Sequence, residues 1–372
     1  MTNAAPWLPR LTIDLDALVH NYRQFCAQSR GSVAAVVKAN AYGLGVGAVA
    51  EALYDDGCRQ FFTAHVSEGV ELRRLLGAEA DIFLMVPHPA VSLEEVRRNR
   101  LTPVVYSREM LTQLAADDGQ QPVALHVETG IHRLAFDADE WASIRPDVLP
   151  TGVDVVLMMS HLATADEHGS PLTEEQRRRF AEQVAGWPGV PASLANSAGA
   201  ALDTALHFDM VRPGIALFGA APGPAGTSLK TVARFSAPVL QIRELPPGVS
   251  VGYGASALTS RPTRLAVLAA GYADGIPRLA GQPNGSGERA AIGCGEHRFA
   301  YFGRVSMDLV AVDVTDAPTG LVEVGTRFDV FGGAVSIGEL ASHCQTITYE
   351  LLTGIGGRTQ RVYRGTGDDG SR

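Results

Sequence analysis

The chain has few cysteines and no segment of the kind that directs export or membrane insertion. Its 372 residues contain four cysteines, at positions 26, 58, 294 and 344, and none belongs to a CxxC pair. A disulfide framework or a zinc ribbon needs closer and more regular spacing. No apolar stretch reaches the roughly 18 residues of a membrane span, and the N-terminus has no apolar signal-peptide core. We therefore expect a soluble cytoplasmic protein with no membrane partner.

Basic charge is also scarce. Lysine and arginine total 31 against 40 aspartate and glutamate residues, which gives a formal net charge of −9. This acidic balance argues against a nucleic-acid partner. The apolar share of 46% is ordinary for a globular protein and excludes disorder for most of the chain. The composition thus favours a globular protein with a large core.

Eight short apolar runs alternate with amphipathic, helix-like segments before residue 219. The runs are Val33–Lys38, Gln60–Ala64, Ile82–Val86, Leu101–Val105, Val123–Glu128, Val153–Ser160, Pro191–Asn196 and Phe208–Arg212. Ser67, with a glutamate close behind it, is predicted to cap the helix after the second run. Strand–helix alternation predicts a parallel sheet, and eight units are the number that closes a TIM-type barrel. We therefore predict an α/β fold with an eight-stranded parallel barrel.

An open doubly wound sheet is the competing fold. Such a sheet more often shows a glycine fingerprint after its first strand, with an acidic residue further on. Here the first run continues into ANAYGLGVG, whose glycines fit that fingerprint only loosely. The barrel is the better interpretation.

The pattern changes at residues 219–228, which read GAAPGPAGTS. Beyond them, strand-like runs are separated by Gly/Pro turns and the alternation stops. We predict the barrel over residues 12–230 and a mostly β C-terminal domain over residues 231–366. Residues 1–11 are expected to pack with the second domain.

Reactive and polar residues collect where the predicted barrel strands end, which is where barrels hold their active sites. They are Lys38, Glu128, Arg133, His161, Asn196, Ser197, Arg212, Gly214 and Ile215. A lysine that leaves a buried strand loses hydration, its pKa falls, and its amine becomes a usable nucleophile. The loops after the last two strands, where barrels often bind phosphate, supply the Ser197 hydroxyl and the Gly214 backbone. A lysine facing a phosphate site is what a pyridoxal phosphate Schiff base requires.

Eight segments, in order along the chain, resemble the alanine racemase family. They are AVVKANAYGLG, SHLATADE, SLANSAG, FDMVRPGIALFG, VGYGAS, AAGYADGIPR, GRVSMDLVAVDVT and TYELLTGIGGR. The resemblance extends from about Leu11 to Tyr363. It implies pyridoxal 5'-phosphate as cofactor, no metal ion, and interconversion of L-alanine and D-alanine, which would supply D-alanine for peptidoglycan precursors. It also implies a homodimer in which each chain has an α/β barrel and a C-terminal β domain.

The resemblance also implies residue roles in the barrel. Lys38 would hold the cofactor covalently and act as one of two acid–base groups. Arg212 would face the pyridine nitrogen, and Arg133 would contact the cofactor's phenolic oxygen and the substrate carboxylate. His161 and Asn196 would lie beside the ring. The phosphate would be bound by Tyr42, Ser197, Gly214 and Ile215.

Three residues of the C-terminal domain match family residues that complete the site of a partner subunit. Tyr253, in VGYGAS, would be the second base and would act on the opposite face of the substrate. Tyr272 and Met307 would line the substrate entry and the carboxylate site. Racemisation needs a base on each side of the substrate, so a lysine and a tyrosine from a head-to-tail dimer fit that chemistry.

The chain departs from the family pattern next to Arg133. It carries His126 where much of the family has a lysine, Glu128 in place of an aspartate, and His132 where a small or amide residue is usual. These departures motivate a first alternative, a racemase of serine or of larger, cationic amino acids on the same fold. A second alternative is a non-catalytic protein that binds pyridoxal phosphate; proteins of that kind usually lack a β domain.

Overall fold

The computed structural model describes residues 7–87, 93–115, 120–167, 169–220 and 229–366. The chain divides into two compact units. One comprises Met1–Ala17 with Thr231–Arg372, and the other comprises Leu18–Lys230. Most of the predicted break at residues 219–228 lies outside the described residues. Among the described residues, no helix is both long and apolar enough to cross a membrane.

The elements up to residue 220 are short strands that alternate with helices. In chain order they are β1 (Arg10–Asp14), α1 (Leu15–Gln28), β2 (Ser32–Val33), β3 (Ala35–Val36), α2 (Lys38–Tyr42), α3 (Val46–Asp55), β4 (Gln60–Thr63), α4 (Val66–Leu76), β5 (Asp81–Leu84), α5 (Leu93–Arg98), β6 (Leu101–Val105), α6 (Arg108–Ala115), β7 (Gln121–His126), α7 (Ala138–Ala142), β8 (Val153–Met159), α8 (Pro171–Val184), β9 (Ala192–Ser193), α9 (Ser197–Leu202) and β10 (Met210–Val211).

The elements after residue 230 are mostly strands. They are β11 (Ala233–Leu245), β12 (Ser250–Val251), β13 (Ala257–Leu258), β14 (Thr263–Leu268), β15 (Ala291–Cys294), β16 (His297–Tyr301), β17 (Val310–Asp313), β18 (Arg327–Phe331), α10 (Ile337–His343), α11 (Thr348–Thr353) and β19 (Gln360–Arg364).

The unit Leu18–Lys230 contains a seven-stranded parallel sheet in the order β3-β4-β5-β6-β7-β8-β9. Its strands are apolar almost throughout, and all five residues of β6 are buried. Both faces of a parallel sheet are covered, so continuous apolar runs without alternation are expected of it. The strand–helix alternation in the sequence therefore predicted a real feature of the fold.

The first predicted run, Val33–Lys38, forms two strands with different neighbours. Its start, β2, pairs with β10 in a separate two-stranded parallel sheet, while β3 pairs with β4. The structure therefore shows a seven-stranded sheet and a two-stranded sheet in place of the single eight-stranded barrel of the prediction. β9 and β10 are only two residues long and are not paired as strands. Backbone hydrogen bonds nevertheless join their segments, from Asp209 to Ala192 at 2.9 Å and from Arg212 to Ala195 at 3.0 Å.

The other unit is built around β11, a 13-residue strand that pairs with β1, β18 and β14. Its eight-stranded sheet is antiparallel except for the parallel pair of β1 and β19. Register shifts at Phe235/Ser236 and Val239/Gln241 interrupt the ladders of β11, and such bulges bend a strand enough to let it serve several partners. Phe235, Phe328 and Phe331 are buried in the core of this unit.

Candidate active site

The predicted barrel residues lie at one edge of the parallel sheet. Lys38 follows β3, Arg133 lies in the loop after β7, and His161 follows β8. Asn196 and Ser197 follow β9, and Arg212 follows β10. Because parallel strands end at the same side of a sheet, this topology brings residues far apart in sequence to one rim. Tyr253, Tyr272 and Met307 lie in the other unit.

Lys38 is half-buried and its environment favours the neutral amine. Burial lowers its pKa below the ordinary lysine value, and the positive charge of Arg133 lowers it further. The carboxylate of Glu68 acts in the opposite direction. The net lowering increases the fraction of Lys38 that is unprotonated and nucleophilic near neutral pH.

The backbone after Lys38 forms one left-handed turn. Its residues have positive φ angles, namely Ala39 (+52°), Asn40 (+54°), Ala41 (+51°), Tyr42 (+54°) and Gly43 (+84°). Only the last is a glycine, and the left-handed conformation costs other residues roughly 1–2 kcal/mol each. Strain of this size clusters at functional sites, where surrounding contacts maintain it. The sequence pattern did not predict this turn.

The left-handed turn brings the Tyr42 side chain against Gly214. A Cβ atom at Gly214 would lie 2.4 Å from the Tyr42 hydroxyl, so any larger residue would displace that group. The Tyr42 ring also packs against Phe218, with ring centroids 5.1 Å apart. The buried Ser197 hydroxyl accepts the N–H groups of Gly214 at 2.9 Å and of Ala216 at 3.3 Å. Two hydroxyls and a glycine backbone therefore form a cradle, which is the donor chemistry that binds a phosphate.

Asn196 shapes the same rim. Its side-chain oxygen accepts the N–H of Gly199 at 3.0 Å, and its amide donates to the Leu162 carbonyl at 3.4 Å. It thus caps α9 and joins the loops that follow β8 and β9. Ile215, next to Gly214, is buried.

Arg212 is buried and held by oxygen acceptors. Its guanidinium donates to the Ser193 hydroxyl, to the Ser160 carbonyl at 2.6 Å and to the Leu194 carbonyl at 3.4 Å. Burial lowers its pKa to about 9, which still leaves it charged at neutral pH. It also lies 3.5 Å from Nδ1 of His161. These contacts fix a planar cation beside the predicted cofactor histidine.

Two histidines near Arg212 are kept neutral. Burial lowers the pKa of His161 well below its usual range, and the charges of Arg212 and Arg133 act in the same direction. Burial lowers the pKa of His126 to about 4, again with help from Arg212 and Arg133, while Glu128 opposes the shift. Within the described part of the chain, Nε2 of His126 has no hydrogen-bond partner. His126 therefore supplies a neutral imidazole close to Arg133, with no positive charge of its own.

Glu128 supports the loop that carries Arg133. Its carboxylate accepts the N–H groups of Gly130 and Ile131, the latter at 2.9 Å. Burial would raise the pKa of Glu128, but backbone donors at Gly130, His132 and Ile131 outweigh it and the net pKa is lowered. Glu128 is therefore an anion that organises the loop. Arg133, at the end of this loop, is exposed.

The three predicted residues of the β unit are exposed. Tyr253 has 70% of its surface accessible, Tyr272 44% and Met307 52%. Tyr253 begins a 3-10 turn between β12 and β13, and its neighbours Gly252 and Gly254 have positive φ angles. Tyr272 and Met307 lie on adjacent segments, because the N–H of Tyr272 donates to Ser306 and that of Ala273 to Met307, each at 3.0 Å.

Some residues that organise the site were not predicted. Ser160 and Ser193 hold Arg212, and buried Gln176 joins two loops by donating to the His161 carbonyl at 2.9 Å and to the Thr129 hydroxyl at 3.2 Å. The two serines could have been predicted from the sequence, because each is a polar residue within or at the end of an apolar strand run. Gln176 lies on an ordinary amphipathic helix, and no sequence feature distinguishes it.

The helix after β4 begins two residues earlier than the Ser67 prediction requires. Its N-cap is His65, and Glu68 occupies the third helical position of a capping box. Asp308, next to Met307, pairs with Arg358 at 2.6 Å. Arg358 also pairs with the buried Asp274.

Comparison with known proteins assigns both units. Residues 13–222 match the family model of the alanine racemase N-terminal domain, and residues 232–363 match that of the C-terminal domain. The alanine racemase of a Methylobacterium species is 41% identical over 369 residues, covering 98% of this chain and all of that protein. A biosynthetic alanine racemase of Agrobacterium fabrum is also 41% identical, over 366 residues that cover 95% of this chain and 93% of that protein.

Solved structures of alanine racemases match the fold of this chain as well. The crystal structure of alanine racemase from Bartonella henselae, with covalently bound pyridoxal phosphate, superposes with a TM-score of 0.90. The two chains are 33% identical, and the match covers 96% of this chain and 99% of that one. That fold pairs a parallel-stranded N-terminal half with an antiparallel β domain. The chain therefore belongs to the alanine racemase family.

Proposed function

We propose that this protein is a pyridoxal phosphate-dependent alanine racemase, an isomerase that interconverts L-alanine and D-alanine and supplies the D isomer. The observation that carries the proposal is the rim around Lys38. There an amine with a lowered pKa shares one sheet edge with the cradle formed by Tyr42, Ser197 and Gly214. The matches over both units support the same activity.

The residues of the rim fit pyridoxal phosphate. Tyr42, Ser197 and the backbone at Gly214 and Ile215 would bind the phosphate, whose negative charge suits a rim that also holds Lys38, Arg133 and Arg212. The lowered pKa of Lys38 provides the neutral amine that a covalent link to an aldehyde requires. His161 and Asn196 would flank the ring. When bound, the cofactor supplies an electron sink that makes the alanine Cα–H bond acidic.

Racemisation also requires proton transfer on both faces of Cα. We assign Lys38 to one face and Tyr253 to the other, each able to remove a proton from Cα or return one. Arg133 would hold the substrate carboxylate, with Tyr272 and Met307 lining the entry. Arg212 would face the pyridine nitrogen. A guanidinium that is already protonated and hydrogen-bonded to three oxygens cannot accept a proton, so the ring nitrogen would stay unprotonated.

Two architectural assignments accompany this function. We propose that the barrel occupies residues 12–230 and the β-rich domain residues 231–366, with residues 1–11 in the second. We also propose that the parallel strands close into an eight-stranded barrel. The pairing of β2 with β10 and the hydrogen bonds between the segments of β9 and β10 support closure.

We also propose a head-to-tail homodimer. In this dimer, Tyr253, Tyr272 and Met307 of each chain would line the partner's site. Its support is that all three side chains are accessible on the β unit, while the barrel rim carries the other predicted residues. A cytoplasmic location is part of the same proposal, and the four cysteines, all present as thiols, suit a reducing compartment.

The test is an assay of D-alanine formation from L-alanine by the purified, cofactor-loaded protein. We expect activity and a visible absorption band from the lysine-bound cofactor, and Lys38→Ala should lose both. Lys230→Ala is the matched control, because Lys38 and the exposed Lys230 are the two lysines of the chain. A loaded wild type that forms no D-alanine would refute the proposal. Running serine, lysine and arginine in parallel tests the alternative substrates suggested by His126.

A further inference from the structure

Glu68, on helix α4, contacts the turn that follows Lys38. Its Oε1 accepts the N–H of Ala39 at 2.6 Å, across 29 positions of sequence. Its Oε2 accepts the N–H of Ala64 at 2.8 Å and that of His65 at 3.1 Å. One carboxylate thus binds three backbone donors that belong to the turns after two neighbouring strands, β3 and β4.

The turn that Glu68 contacts needs external support. Ala39 is the first of four consecutive non-glycine residues with positive φ, a conformation that the Cβ atom disfavours. Inside the turn, Asn40 contributes by accepting the N–H of Val46 at 2.7 Å. Glu68 is the side chain that holds the beginning of the turn, next to the catalytic lysine, and anchors it to a separate part of the sheet.

A carboxylate is the side chain suited to this position. Three N–H donors converge on it, and both of its oxygens accept. A glutamine has one oxygen and one NH₂ group. In either orientation, that NH₂ group would face at least one of the backbone donors. An aspartate would be one methylene shorter and would not reach both turns.

Glu68 also acts on Lys38 through its charge. Burial and Arg133 favour the neutral amine, whereas the negative charge of Glu68 favours the ammonium form and raises the lysine pKa. His161, which is coupled to the charge of Lys38, is kept neutral by burial and by Arg212. Glu68 therefore opposes burial and Arg133 in their effect on the pKa of Lys38.

We propose that Glu68 is a positioning residue for Lys38, which fixes the left-handed turn through Ala39 and places a carboxylate beside the lysine. The inference rests on the catalytic role proposed above for Lys38. Glu68 does not itself need to touch substrate or cofactor for this role.

The first experiment measures the lysine directly. Cofactor-free protein is acetylated to a small extent at each of several pH values. Mass spectrometry then measures the acetylated fraction of the Lys38 and Lys230 peptides. In Glu68→Gln, loss of the negative charge should lower the pH at which Lys38 titrates. At a pH below that midpoint, labelling of Lys38 relative to Lys230 should rise by about twofold or more. Glu71→Gln, an exposed glutamate of the same helix, is the control and should leave the ratio unchanged.

The second experiment measures the turn by amide hydrogen exchange. Ala39 is exposed, and among the described residues its amide donates to Glu68, so this hydrogen bond is expected to protect the amide. In the wild type we expect slow exchange at Ala39, and in Glu68→Gln an acceleration by roughly tenfold or more at Ala39 and Gly43. Glu71→Gln should exchange like the wild type.

The outcomes separate the inference from the proposed function. Rapid exchange at Ala39 in the wild type overturns the inference without reference to any variant, even if Glu68→Gln folds poorly. Equal labelling and exchange in Glu68→Gln and Glu71→Gln overturn it as well. Both readouts use cofactor-free protein, so they remain informative whether or not the loaded enzyme racemises alanine.

Discussion

Burial sets the protonation state of the side chains around Lys38. It lowers the pKa of Lys38, of His161 and of His126, and in each case a neighbouring arginine adds to the effect. The rim therefore combines two guanidinium charges, two imidazoles that favour the neutral form and an amine whose pKa is lowered from the ordinary lysine value. The lowered pKa makes the neutral amine of Lys38 more accessible than that of a solvated lysine.

At the residue scale, the lowered pKa of His126 predicts that the free energy of unfolding falls in acid. Its pKa is about 4 in the folded protein against 6.5 normally, so the unfolded chain binds more protons between these values. The stability contribution is complete above pH 6.5 and is lost as the pH falls through 4, by roughly 3 kcal/mol in total. In His126→Gln this loss should be absent, so urea unfolding should show its stability relative to the wild type improving as pH drops.

The matched control for this prediction is His297→Gln, which removes an exposed histidine from β16. It should follow the wild-type pH dependence. A parallel pH dependence of the wild type and His126→Gln would show that His126 is not held neutral in the folded state.

At the scale of elements, the left-handed turn is the part of the fold in strongest conflict with local preference. Alanine favours right-handed helix more than any other residue, yet Ala39 and Ala41 both have positive φ angles. Long-range contacts decide the conformation here, through Glu68 on one side and through the packing of Tyr42 against Phe218 and Gly214 on the other.

Replacing Ala39 by glycine should therefore stabilise the protein. Glycine adopts positive φ without a Cβ clash, so we expect Ala39→Gly to raise the free energy of unfolding by about 1 kcal/mol. The same change in a right-handed helix, Ala48→Gly in α3, should lower it by about 0.5–1 kcal/mol. Denaturant unfolding of cofactor-free protein measures both. Destabilisation by Ala39→Gly, equal to that of Ala48→Gly, would contradict the left-handed turn.

At the scale of the whole molecule, the proposed site needs residues from two units. Lys38 belongs to the unit Leu18–Lys230 and Tyr253 to the other. A head-to-tail dimer would build two composite sites at once, with closed symmetry. In this arrangement, a chain that lacks Lys38 can pair with a chain that lacks the Tyr253 hydroxyl, and one of the two sites then keeps both bases. The proposed dimer can therefore be tested by mixing inactive variants.

Mixing two inactive variants should restore activity. In a heterodimer of Lys38→Ala and Tyr253→Phe, one site contains both substitutions and the other contains neither. After complete subunit exchange of an equal mixture, half of the dimers are heterodimers with one intact site, so activity should recover to roughly a quarter of wild type. The double variant mixed with either single variant is the control and should remain inactive. No recovery after proven exchange would contradict the shared site.

Much of the molecule follows from local sequence. The family is recognisable from short segments such as AVVKANAYGLG and VGYGAS, and the comparisons confirm it. The strand runs from Gln60 to Met159 were predicted to within a few residues. This succeeded because a buried parallel strand needs a continuous apolar run, which is visible in the chain itself.

Other features were decided only by the tertiary structure. The division of the first run into β2 and β3 depends on β10, far along the chain. The hydrogen bonds of Arg212 join it to Ser160 and Ser193, and those of Glu68 join the turns after two strands. The left-handed turn opposes the preference of its own residues. Each of these features depends on at least one partner that lies 19 or more residues away, so part of the energy that selects the conformation is absent from any local window of sequence. The sequence by itself determined the family and the strand–helix order, and it pointed to Lys38 as the proposed reactive lysine; only the folded chain decided how that lysine is held and which charges surround it.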